Sequence, residues 1–306
     1  MHKPEEYFVR NLKHGSLENL FAVYGMDVRV TKHGKKYAEL RVGDKTGVLT
    51  ARYFTDDEGE VDEIMSSYKV GEVIRIRGDL GDYGITIKQP FTASITRCWE
   101  GEYEISDFRA VTGNDVEEML GVIKENILGL KNPHLKELCG FFFNDENFVK
   151  AFKSIPGAQS KHHNYEGGLL EHTYEMVRLW YVVCDLHKEL DKDLLFCGII
   201  FHDLGKLRSY AFKGASIERT TEEEMIGHIV LGEKMMRGAM DKIDGFPEEL
   251  KSKLSHLILS HHGEIREGYG SAVSPKLPEA YVLFYLDYAG SQINLVMQRY
   301  GGLERG

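Results

Sequence analysis

The stretch NDVEEMLGVIKENI, residues 114–127, decides the architecture of this chain, because the hydrophobic period changes there. Val116, Met119, Leu120, Ile123 and Ile127 recur at i, i+3, i+4, i+7 and i+11, one face of a helix, and Asn114 or Asp115 offers a side-chain oxygen for its N-cap. Downstream, the spacing predicts helices at 133–143, 145–154, 168–188, 191–202, 222–240, 247–261 and 278–299, with no comparable strand signal after residue 113. Upstream, between Glu18 and Cys98, short apolar runs that include Val28, Val30, Tyr37, Leu40, Val42, Val48, Leu49 and Ala51 are punctuated by the corners GDKTG and GDYG. About five short strands in that space predict a small β-barrel. The acidic run DDEGEVDE (56–63) reads as a solvated loop. The expected fold class is α+β in two domains, with a barrel over 15–100, a linker over 101–113 and an all-helical domain over 114–306.

A chain of 306 residues, 42% hydrophobic and 28% charged, is long enough for two cored domains and reads as soluble and globular. Its run Leu194–Phe201 spans only eight residues, against the roughly 18 apolar residues of a membrane helix. The start MHKPEEYFVRNLK has no leader-like apolar stretch, so neither a membrane partner nor secretion is expected. Cys98, Cys139, Cys184 and Cys197 form no C-x-x-C pair. That excludes a cysteine zinc knuckle and a disulfide framework, and predicts reduced thiols in a cytoplasmic protein. The net charge of −10 argues against an overall basic coat for nucleic acid while leaving a local groove open. Histidine is the anomaly: nine of the 13 fall between His162 and His262. Imidazole is the commonest metal ligand, so this clustering points to a site.

Five segments of the helical half carry that chemistry: GGLLEHT with His172, FHDLGK with His202, Asp203 and Lys206, GHIVLG with His228, LSHHG with His261 and His262, and YLDYAG with Asp287. Neutral imidazoles combined with carboxylates suit manganese, iron, zinc or magnesium, and the lack of thiolate disfavours a structural zinc site. His202 and Asp203 stand at a helix end just before Gly205, where the chain turns, so that two neighbours can face one ion. An aspartate placed there can bridge two ions with its two oxygens. A lone histidine on an apolar helix face, such as His187 or His256, is ordinarily a core residue. It is the ordered set H, HD, H, HH, D that carries the metal reading.

The series His172, His202-Asp203, Asp287 resembles the HD superfamily of metal-dependent phosphohydrolases, which are helical bundles. With PGAQSKHHNYEGGLLEHT (156–173), FHDLGK (201–206), GHIVLG (227–232) and LILSHHGE (257–264) behind a barrel, the chain is similar over about 15–300 to the YhaM family of 3′–5′ exoribonucleases, an OB-fold joined to an HD domain. The resemblance implies one ion on His172, His202, Asp203 and Asp287, and a second on Asp203, His228 and His261 with His262 near it. Manganese is the implied metal, with iron, magnesium, zinc and cobalt as alternatives. Phe284 and Gly290 depart from the family, which often has a histidine and an acid at those places.

Two such ions would polarise a phosphodiester, and the charge that develops on its oxygens needs fixed positive partners. Asp203 and Lys206 are accordingly the candidate catalytic residues, Lys206 as a phosphate contact. Lys161, His162 and His163, just before the helix opened by Gly167-Gly168, are candidates for binding substrate phosphate, since such a helix start offers free N–H groups. In the barrel, Lys32, Lys35, Lys36, Arg41 and Arg52 are interleaved with Tyr37, Tyr53 and Phe54. Lys35, Tyr37, Arg52 and Tyr53 are the candidates for holding a single strand by stacking and charge. The resulting expectation is a metal-dependent 3′–5′ exonuclease on single-stranded RNA, with DNA as a further polymer, releasing nucleoside monophosphates; assembly as a homo-oligomer is left open. The alternatives are an HD phosphohydrolase of small nucleotides and a nucleic-acid-binding protein with a non-catalytic HD site.

Overall fold

The computed structural model describes residues 2–99, 101–159 and 163–303. They group into two units, one running to Ala110 and taking in Phe212–Glu218, the other comprising Val111–Ala211 and the chain from Arg219 onward.

The first unit is a closed barrel of β1 (Gly15–Val30), β2 (Lys36–Asp44), β3 (Gly47–Phe54), β4 (Val73–Gly81) and β5 (Gly84–Ile87). Its order is β1-β2-β3-β5-β4, closed by pairing of β4 with β1; only β3 and β5 are parallel. This is an OB-like arrangement. Closure is possible because β1 is long enough to pair Gly15–Ala22 with β4 and Ala22–Val30 with β2, with a register shift between Val23 and Gly25. Along β4 the alternation is plain: Ile74, Ile76 and Leu80 are buried, while Arg77 and Asp79 are exposed. Phe21, Leu40, Val42, Tyr53 and Ile85 are among the residues that join them in the interior.

The acidic run expected to be a loop instead forms α1 (Glu58–Ser67) between β3 and β4. Asp57 caps it by accepting from the Gly59 N–H at 2.9 Å, and Glu58 and Glu60 occupy a first turn that favours negative charge. Val61 and Ile64 are fully buried against the barrel interior. A short helix, α2 (Phe91–Ser94), and strand β6 (Ile95–Arg97) on the β4 edge follow.

The expectation of no strand after residue 113 is also corrected. YAFKGASIER forms a hairpin of β7 (Tyr210–Lys213) and β8 (Ser216–Arg219). Each strand is four residues long, too short to show a period. The hairpin tip belongs to the barrel unit: the Ala215 N–H donates to the Gly71 carbonyl at 3.0 Å, the Arg109 Nε donates to that of Gly214 at 2.9 Å, and Ala215 packs with Ala22, Val73, Cys98 and Phe108.

The second unit is helical: α3 (Val116–Gly129), α4 (Pro133–Phe143), α5 (Glu146–Ser154), α6 (Gly168–Leu186), α7 (Lys192–Phe201), α8 (Lys206–Ser209), α9 (Thr221–Met225), α10 (His228–Met240), α11 (Glu248–Ser260) and α12 (Pro278–Leu303). Asp115, Asn132, Asp145 and Asp191 cap α3, α4, α5 and α7. Every residue from Leu194 to Phe201 is buried, which makes α7 the central helix of the core; each such large apolar side chain contributes about 1.5–3 kcal/mol. The single helix expected over 222–240 is broken by Gly227 at φ 83°, a left-handed value that glycine adopts without strain. No helix among the described residues is long and apolar enough to cross a membrane.

Candidate metal centre

The ends of the core helices place the histidines. His172 lies in the second turn of α6, His202 and Asp203 follow α7, His228 opens α10, His261 and His262 follow α11, and Asp287 lies on α12. The turn after α7 packs backbone to backbone on α10. A Cβ on Gly205 would lie 1.9 Å from the His228 carbonyl oxygen and 2.6 Å from the Gly232 nitrogen. Glycine at 205 therefore sets the distance between Asp203 and His228.

Around Asp203 the donor atoms fall into two groups. His172 Nε2 lies 3.2 Å from His202 Nε2 and 3.1 Å from Asp287 Oδ1, and His202 Nε2 is 3.1 Å from Asp203 Oδ2. Two atoms each about 2.1 Å from one ion lie roughly 3.0–3.4 Å apart at the angles of octahedral or tetrahedral coordination, so these spacings fit a shared ion. The other oxygen, Asp203 Oδ1, faces His228 Nε2 at 3.7 Å and His261 Nε2 at 3.8 Å. His228, His261 and His262 themselves form a second cluster whose ligand atoms lie within 4.8 Å of one another.

The protonation of these groups suits metal binding. Nδ1 of His202 and of His261 donate to the carbonyls of Ile199 and Ile258, at 2.8 and 2.7 Å, and Nδ1 of His262 donates to that of Tyr269 at 2.8 Å. A carbonyl can only accept, so in each neutral ring Nδ1 carries the proton and Nε2 presents its lone pair inward, the usual support of a metal-bound imidazole. Burial opposes charge on His202, yet the Asp203 and Asp287 carboxylates push that imidazole above its usual range, and a divalent ion there would displace the proton. Burial pushes His172, His261 and His262 below the usual histidine range, which keeps them neutral. Burial also opposes the charge on Asp203, yet Lys206 and His202 hold its carboxyl well below the usual carboxylate range. Asp203 Oδ1, His228 Nε2 and His261 Nε2 are buried with no hydrogen-bond partner among the described residues. Orphaned atoms of this kind are costly, and a divalent cation between them satisfies all three. The donor set therefore fits a divalent metal.

Lys206 donates from Nζ to Asp203 Oδ2 at 2.5 Å and lines a cavity of about 430 Å³ beside the cluster, together with Arg219, Glu223, His228, His262 and Asp287. Lys161 and His162 lie outside the described residues. His163 does not bear out a phosphate contact. It is fully buried at φ 50°, with Nε2 3.1 Å from Glu175 Oε2 and its backbone N–H donating to Asn294 Oδ1 at 3.1 Å. Nor is the helix start at Gly167-Gly168 an anion cradle, because the N–H groups of Gly167, Gly168 and Leu169 donate to Ser154, Tyr165 and Ile155.

On the barrel, the rings of Tyr37 and a half-exposed Phe54 meet at a tilt of 33°, with centroids 4.9 Å apart. Lys35 pairs with Asp56, and Arg52 donates to Glu39 Oε2 at 2.9 Å and to the Tyr83 carbonyl at 2.6 Å. Tyr53 corrects the expectation of a stacking residue: its ring is fully buried and its hydroxyl donates to Glu60 at 2.8 Å. Sequence reasoning missed Glu223, whose Oε1 lies 3.6 Å from His228 Nδ1. The break at Gly227 decides which glutamate of TTEEEM turns back, and spacing alone does not reveal it.

The HD domain family matches residues 169–289. Among curated proteins, the chain is similar to "3′-5′ exoribonuclease YhaM" of Shouchella clausii, 32% identical over 273 residues that cover 88% of this chain and 81% of that one. It is likewise similar to the proteins of that name from Bacillus subtilis strain 168 and Bacillus licheniformis, each 30% identical over 87% of this chain and 82% of theirs.

Proposed function

The chain belongs to the YhaM family of 3′–5′ exoribonucleases, and on that premise we propose that it is itself a metal-dependent 3′–5′ exoribonuclease. The observation that carries this reading is the buried His/Asp cluster, with the orphaned atoms Asp203 Oδ1, His228 Nε2 and His261 Nε2 facing one another, beside a cavity that Lys206 and Arg219 help to line. His172, His202, Asp203 and Asp287 would hold one divalent ion, and Asp203, His228, His261 and His262 a second, with manganese first among the candidate metals and iron, magnesium, zinc and cobalt behind it. Ions held there supply Lewis acidity toward a phosphodiester and acidify a water for attack on it.

The protein's own part is to orient and to balance charge. Lys206 fixes the Asp203 carboxylate with one N–H and has two more to offer a phosphate oxygen at the cavity. Arg219 adds a second cation on the same wall. The Ile199, Ile258 and Tyr269 carbonyls hold the His202, His261 and His262 imidazoles in the metal-ready tautomer, and the Glu223 carboxylate, 3.6 Å from His228 Nδ1, would orient that ring. On the barrel, Tyr37 and Phe54 supply a stacking surface, flanked by Lys35 and Arg52, for single-stranded RNA and secondarily for single-stranded DNA. The reaction belongs to the cytoplasm in this reading.

A 5′-labelled single-stranded RNA of about 30 nucleotides, long enough to span several binding sites, tests it with manganese. Stepwise shortening from the 3′ end by the wild type, lost with EDTA and in Asp203→Asn, is the expected result. An untouched RNA alongside rapid turnover of mononucleotides would replace this reading with a small-nucleotide phosphohydrolase.

A further inference from the structure

One face of α12 runs along the cavity beside the histidine cluster. Phe284, Tyr288, Ser291 and Leu295, at i, i+4, i+7 and i+11, all line it. Tyr269 joins them from the turn EGYGS, where its carbonyl is anchored by His262. The Tyr269 and Tyr288 rings meet with centroids 6.0 Å apart, and Phe284 lies 5.9 Å behind Tyr288. Phe284 is buried because Gly263 makes room for it; a Cβ there would come within 2.6 Å of the ring. The two tyrosines, by contrast, are 52% and 42% exposed. Aromatic faces left open on a cavity wall beside metal-ready donors are the surface that a nucleobase covers.

We propose that Tyr288 and Tyr269, backed by Phe284, form a stacking shelf for the base of the terminal nucleotide, with Tyr288 as the principal positioning residue. The inference rests on the exoribonuclease reading and deepens it. At about 430 Å³ the cavity is at the small end of the roughly 300–1,000 Å³ of ligand pockets, a fit for one nucleotide. Stacking accepts any base, and Gln292 on the same wall carries both a donor and an acceptor. The shelf therefore grips whichever base stands at the 3′ end, as stepwise digestion of mixed sequence requires.

Two RNAs that differ only in a 3′-terminal adenosine or a 3′-terminal abasic ribose test it, read on the first cleavage. The wild type is expected to lose about 5- to 150-fold in kcat/KM on the abasic end, mainly through KM. Tyr288→Ala should lose the same factor on the adenosine end and nothing further on the abasic one, and Tyr288→Phe should restore wild-type behaviour. Equal rates of the wild type and Tyr288→Ala on the abasic RNA would show that the catalytic centre is intact. The same abasic penalty in both proteins overturns the shelf. If the wild type leaves both RNAs whole, the exoribonuclease reading fails separately, and calorimetric titration of the manganese-loaded protein decides the shelf. Tighter binding of AMP than of ribose 5-phosphate, lost in Tyr288→Ala, supports it; equal binding overturns it.

Discussion

Gly205→Ala is expected to disable the site without altering any side chain that faces the cavity. The new Cβ would lie 1.9 Å from the His228 carbonyl oxygen, where ordinary contact begins at 3.4 Å, so α10 or the Asp203 turn must retreat by about 1.5 Å. The clash is with backbone, so no side-chain rotation relieves it. Overpacking of this kind costs about 1–3 kcal/mol, and a misplacement of about 1 Å near reacting groups is worth about 100-fold in rate. His228 and Asp203, 3.7 Å apart, are the two groups driven apart. Manganese titration calorimetry, thermal unfolding and the RNA shortening rate would be measured on the variant. Weakened metal binding, a lower melting temperature and a rate loss near 100-fold are the expected outcome. Metal affinity and rate both within twofold of wild type would refute the reasoning.

Glu223→Gln should lower manganese affinity by about 10- to 100-fold, as loss of a ligand-orienting carboxylate does, while the chelated protein melts as wild type does; unchanged affinity counts against its role. Tyr37→Ala should weaken single-stranded RNA binding, measured by fluorescence anisotropy, whereas Tyr53→Phe should leave it unchanged and lower only stability, by about 1 kcal/mol for the lost hydrogen bond. Asp107 is buried, which alone would raise its pKa, but Lys45 at 2.8 Å and its other partners hold the carboxyl below the usual 3.8. A depressed folded-state value contributes stability above that usual value and loses it as pH falls through the lower one. The stability difference between wild type and Asp107→Asn should therefore be full at neutral pH and shrink below about pH 4. A difference that is constant across that window would exclude the linkage.

The two-part architecture was legible because each half keeps its period. The residues spaced along 116–127 do form α3, capped by Asp115, and the eight-residue apolar run is the buried α7. Pattern failed where few residues decide. In the acidic helix only Val61 and Ile64 point inward, so the charges mask the amphipathic signal. Tyr53 and Tyr37 have the same chemistry in sequence, and only barrel register sends one to the interior and the other to the surface. The histidines and Asp203 stand out as residue types, whereas their supports are backbone carbonyls of Ile199, Ile258 and Tyr269, which every residue possesses. His163 shows the converse limit. Beside a glycine-led helix it resembles a ligand-binding residue, yet close backbone packing turns it inward onto Glu175.

The hairpin tip has a consequence for synthesis. Residues 212–218 complete a hydrophobic cluster whose other members are made much earlier, from Ala22 to Phe108. During translation the barrel strands leave the ribosome first, but the cluster around Val73 and Phe108 lacks its last member until Ala215 has been polymerised. At about 5–20 residues per second, the hundred-odd residues in between correspond to roughly 5–20 s of waiting. Over that interval the nascent barrel holds an incomplete cluster, and a fragment ending at residue 110 would lack its last member permanently.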